Sequence, residues 1–81
     1  MNKSQKLEAA KKREEAAKLR RLASSQKDNA AAHVRQSKKP IYDGQADICI
    51  GKANTIESIA GANLATAARL EAEADCMESD I

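Results

Sequence analysis

The chain has 81 residues, room for one domain at most. Its hydrophobic fraction of 42% is half alanine (17 of 34 residues), and Leu, Ile, Val and Phe together number only 12. So little bulk cannot wall an enclosed pocket, and no nucleophile–base pair, metal-ligand cluster or phosphate loop is present, so we expect no enzyme, no cofactor and no metal. The net charge of +2 conceals an asymmetry: residues 1–39 hold 12 Lys or Arg against 4 Asp or Glu, and residues 40–81 hold 2 against 8.

Residues 1–39 read as a basic N-terminal helix, spanning about 3–38. Strong helix formers dominate the first part, and Glu8 with Lys12 and Glu14 with Lys18 stand at i, i+4 in the favourable order. Asn2 with Gln5 has the spacing of a capping box. The apolar face is thin: Ala9, Ala16, Leu19, Ala23, Gln26 and Ala30, with Leu7 and Leu22 to its sides. The Ser-, Asp- and Asn-rich run 24–29 weakens the helix, but alanines and Val34 follow at once and continuation is expected. Pro40 ends it, because proline disfavours helical geometry in the residue before it. Lys11, Lys12, Arg13, Lys18, Arg20 and Arg21 form the candidate contact for nucleic acid or for an acidic partner. No Phe, Tyr or Trp stands in residues 1–39 for base stacking, and Glu8, Glu14 and Glu15 interleave with the basic residues, so a solvated, intramolecularly paired helix face leads over nucleic-acid contact.

Residues 40–51 change character and form the expected connector, irregular or a short β-hairpin. Asp43-Gly44 is a turn signal, and Ile48 and Ile50 alternate with Asp47 and Cys49 as in a half-buried strand. Ile41, Tyr42, Ile48 and Ile50 make this segment a candidate docking site.

Residues 52–81 read as an acidic C-terminal helix, starting near Asn54 and running to about 78. Asn54 to Glu57 has the form of a capping box. Ile56, Ala60, Asn63, Ala67, Leu70, Ala74, Met77 and Ile81 recur at alternating steps of four and three. That is a heptad seam, the signature of a coiled coil, and the first seven are the candidate helix-interface residues. Its alanines permit close approach, and an asparagine inside a seam can fix register. Glu71, Glu73, Asp75, Glu78 and Asp80 crowd the C-terminal end, where the helix dipole disfavours them, so cations should lie nearby.

Cys49 and Cys76 fit no zinc spacing, and His33 stands alone. Residues 1–15 lack an apolar signal-peptide core, and no stretch approaches the roughly 18 apolar residues of a membrane span. The expected location is therefore the cytoplasm or the interior of a virus particle, with both thiols free.

The fold expected is all-α: two long helices, extended or folded into a hairpin, core-poor and ordered by assembly. The function expected is that of a structural or accessory subunit packing through helix–helix contacts in a larger multi-chain assembly, such as a virus or bacteriophage particle. Its partners would be copies of itself or larger proteins. The alternatives are a nucleic-acid-binding accessory protein led by the basic helix, and a small regulatory or antitoxin-like protein that folds on its partner.

Overall fold

The computed structural model describes residues 3–39 and 44–79. They form two α-helices, α1 over Lys3–Ser37 and α2 over Ala46–Ser79, with no strand among the described residues. At about 1.5 Å per residue each helix is roughly 50 Å long. The molecule measures 60 × 13 × 12 Å between Cα atoms, so the helices lie side by side along their whole length as an antiparallel hairpin.

The buried positions explain the pairing. In α1 they are Ala9, Ala16, Ala23 and Ala30; in α2 they are Cys49, Ala53, Ala60, Ala67 and Ala74. Each helix therefore presents an alanine at every seventh residue to the other. A second row lies between, half-buried: Gln5, Lys12, Leu19, Gln26 and His33 on α1, and Ile56, Asn63, Leu70 and Met77 on α2. Alanine side chains hold the axes close. The 13 Å width less two Cα radii of about 2.3 Å leaves at most about 8 Å between axes, the low end for packed helices. A strict seven-residue repeat also imposes a left-handed supercoil. Over roughly 50 Å, a pitch near 150 Å turns the pair by about a third of a circle. This accounts for two short dimensions of nearly equal size, where a flat pair would be thinner one way.

Helix α1 runs unbroken through 24–29 and closes tightly. The Lys38 and Lys39 amides donate to the Arg35 and Gln36 carbonyls at 3.2 and 3.0 Å, and the Ser37 hydroxyl donates to the Val34 carbonyl at 2.6 Å. Arg35 in the last turn suits the dipole. Gly44 has φ of 86°, a left-handed conformation that glycine adopts without a Cβ clash. Gln45 then immediately precedes α2, its carbonyl accepting from Ile48 and Cys49 at 3.1 and 3.2 Å. Asp47 in the first turn suits the positive end of the dipole.

The connector differs from expectation. Residues 46–51, expected in an irregular or β-hairpin connector over 40–51, belong to α2, and Asn54 lies within that helix rather than capping it. An isolated two-stranded hairpin is marginal in water. Extending α2 backwards instead buries Cys49 and Ala53 against α1. That burial offsets the roughly 1 kcal/mol that Gly51 costs inside a helix. Ile41, Tyr42 and the rest of 40–43 lie outside the described residues, as do Asn2 and Ile81.

Candidate functional site

The seam and its two flanks are the surfaces on which this hairpin can act. Within the seam, Ala60, Ala67 and Ala74 are fully buried, and Ile56, Asn63, Leu70 and Met77 are half-buried. All seven face α1 of the same chain. Asn63 Nδ2 donates to Gln26 Oε1 at 3.0 Å, so the polar residue of one helix meets the polar residue of the other. The same seam continues upstream through Ala46, Cys49 and Ala53. Sequence reading stopped short of these three, although their spacing carries on the pattern of four and three, because Gly51 and the Ile-Cys-Ile alternation pointed to a break.

One flank is ionic. Arg13 Nε donates to Glu78 Oε1 at 3.0 Å, and its Nη2 donates to Glu78 Oε2 at 2.8 Å and to Asp75 Oδ1 at 2.6 Å. Arg20 grips Glu71 with two bonds: Nη2 to Oε1, and Nε to Oε2 at 3.2 Å. The planar guanidinium fork matches a carboxylate in this way. On the other side of the seam, Lys12 Nζ donates to Glu73 Oε2 at 2.9 Å. The carboxylates at the C-terminal end of α2 thus take their cations from the N-terminal half of α1.

These contacts shift the groups as charge pairing requires. Hydrogen bonds from Arg20, Lys12 and Arg13 hold Glu71, Glu73 and Glu78 respectively below the usual carboxylate range. The Arg13 guanidinium is pushed up by its bonds to Glu78 and then Asp75, and that of Arg20 by its bond to Glu71. All these side chains remain partly solvated, which limits what each pair contributes to stability.

The six basic residues singled out in α1 therefore divide. Lys12, Arg13 and Arg20 bind carboxylates of α2, and Lys18 lies 3.8 Å from Glu14 one turn away. Lys11 and Arg21 are exposed and form no ion pair among the described residues. Lys12 reaches across to α2 rather than along its own helix to Glu8.

The second flank is of another kind. Leu22 follows Glu8 and Glu15 in a row at steps of seven, next to Lys12's row. Ile59 precedes Glu73 by fourteen residues and so shares its row on α2. Because Lys12 meets Glu73, these two rows line the same side of the hairpin. Ile48, eleven residues or three turns before Ile59, joins them. Leu22, Ile48 and Ile59 are 49%, 59% and 48% exposed. Ile50 is exposed near the turn and Leu7 on the far side of α1. Leu22 and Ile59 were not among the sequence candidates. Their signal was bulk at positions that the seam does not use.

The surface depressions are open grooves. One, near 450 Å³, is lined by Lys12, Arg69, Ala72, Glu73, Cys76 and Met77. Cys49 is buried and Cys76 exposed, and both are free thiols. Among the described residues no three of His, Cys, Asp and Glu cluster as metal ligands would, and no helix is long and apolar enough to cross a membrane. No protein-family model matches the chain, and no curated protein or solved structure does so either.

Proposed function

We propose that this protein is a non-enzymatic structural or accessory subunit, a rod that joins a multi-chain assembly through its helix faces. One observation carries the reading. The chain exposes 5696 Å², about 1,000 Å² more than the roughly 4,700 Å² typical of a folded protein of 8.7 kDa. The composition of the interior agrees: among the described residues nothing larger than cysteine is buried, while two leucines and three isoleucines stand exposed. A seam of single methyl groups stabilises little at about 0.8 kcal/mol each. A rod of this kind gains most by burying its flanks against other chains.

The nucleic-acid alternative has less support. Lys12, Arg13 and Arg20 lie against carboxylates of the same chain, so releasing them to phosphates would break the hairpin's own ion pairs. The narrower setting of a virus or bacteriophage particle rests on composition alone.

The test is far-UV circular dichroism of the isolated chain from about 1 μM to about 1 mM at physiological salt. Helicity and Tm that rise with concentration support the reading, as does helicity that stays low until a partner is added. A fully helical chain whose Tm does not depend on concentration overturns it.

A further inference from the structure

We propose that the flank marked by Leu22, Ile48 and Ile59 receives a second copy of this chain, related by a two-fold axis, so that two hairpins form a four-helix dimer. This rests on the assembly reading above and names its partner. Three features of the flank carry the choice.

The first is apolar bulk without charge. Between Leu22 and Gln36 on α1, and between Ile48 and Thr66 on α2, Lys52 is the only charged side chain facing this side. The charged residues of the flank lie beyond, towards the open end of the rod. The opposite flank instead carries the guanidinium–carboxylate pairs, which would lose solvent if covered.

The second is that the polar groups of the flank can be dried. The Thr55 and Thr66 hydroxyls donate to the carbonyls of Gly51 and Ala62, four residues back on the same helix, at 3.0 and 3.1 Å. Each threonine proton is thereby satisfied before any partner arrives. The exposed Asn29 carries both donors and an acceptor. An isologous interface brings like residues together, and an amide can pair with its own copy where a charge would repel it.

The third is area. A standard interface removes about 800 Å² from each partner. That would bring the exposure of this chain close to the value expected for its mass.

The experiment is light scattering coupled to size exclusion, with circular dichroism on each fraction. It uses the full chain, the double variant Leu22→Lys/Ile59→Lys, and Leu7→Lys as the control. Leu7 is as exposed as Ile48, at 59%, but lies on the far side of α1. The expected result is a mass of twice 8.7 kDa for the native chain and for Leu7→Lys, and of 8.7 kDa for the double variant, whether or not that variant keeps its helicity. An equal mixture of Ile59→Glu and Ile59→Lys should recover the doubled mass. A double variant that remains dimeric overturns the choice of flank but leaves the assembly reading standing. A native chain that is monomeric and unfolded at every concentration overturns the second copy as partner and leaves the assembly reading standing. A monomeric, fully helical native chain overturns both.

Discussion

Replacing Ala67 tests whether the methyl seam sets the spacing of the helices. Ala67 is fully buried, and its neighbour Ala68 is exposed on the ionic flank. Glycine at either site costs about 1 kcal/mol of helix propensity. At Ala67 it also removes a buried methyl, worth about 0.8 kcal/mol before any cavity left behind. The expected losses are therefore about 2 kcal/mol for Ala67→Gly and about 1 for Ala68→Gly. In a domain of this size roughly 6 °C of Tm corresponds to 1 kcal/mol, giving falls near 12 and 6 °C. Leucine separates the two sites further. Ala68→Leu should be almost silent, because leucine is nearly as good a helix former as alanine. Ala67→Leu should lower stability by about 1–3 kcal/mol, because a larger side chain at an axis distance of about 8 Å forces the helices apart. The assay is thermal melting by circular dichroism at one fixed concentration. A stabilised Ala67→Leu would refute the reasoning, since the seam would then have had room for a larger side chain.

Further outcomes follow from the polar and charged contacts. The double variant Gln26→Leu/Asn63→Leu should melt higher than the native chain, because it replaces one amide pair by apolar contact in the row that holds Leu19, Ile56 and Leu70; a lower Tm would show that the amide bond is worth more than the burial. Glu71, Glu73 and Glu78 have folded-state values below the ordinary 4.5, so the stability they add is present above that value and is lost as pH falls through and below it. Tm measured from pH 7 down to pH 3 should therefore hold steady and then fall, and a Tm that rose on acidification would contradict the pairing. Arg20→Glu should lower Tm and Arg20→Glu/Glu71→Arg should recover most of the loss; failure to recover would mean the two side chains do not act as a pair.

Much of the architecture was legible because alanine carries it on a regular period. The thin face of Ala9, Ala16, Ala23 and Ala30, and the alternation of fours and threes from Ile56 to Met77, mark two stripes with no other surface to cover them. An all-helical hairpin is what two such stripes form. The start of α2 was hidden by a local signal. Ile48 and Ile50 flank Cys49 as a strand would, and only the pairing with α1 decides that the cysteine faces in and both isoleucines face out. The crowded carboxylates of α2 called for cations, but the partition of the basic residues depends on side. Lys12, Arg13 and Arg20 flank the seam and reach α2, whereas Lys11 and Arg21 point away. Spacing alone places residues on one helix. It does not say which side of that helix a second will occupy.

The uniform alanine ladder has a consequence for how the helices find each other. Sliding one helix past the other by a heptad, about 10.5 Å, again sets methyl against methyl. Burial alone would leave several alignments close in energy. The Gln26–Asn63 bond does not repeat on that step, so it marks one alignment on a scale that is otherwise periodic, whereas Arg13 and Arg20, seven residues apart like Glu71 and Glu78, meet a carboxylate again after the slide. In an intact hairpin the covalent link between α1 and α2 adds its own limit. In a chain cut between the helices that one amide bond would be the whole of the index, and its loss would free the two rods to join at staggered offsets and grow end to end.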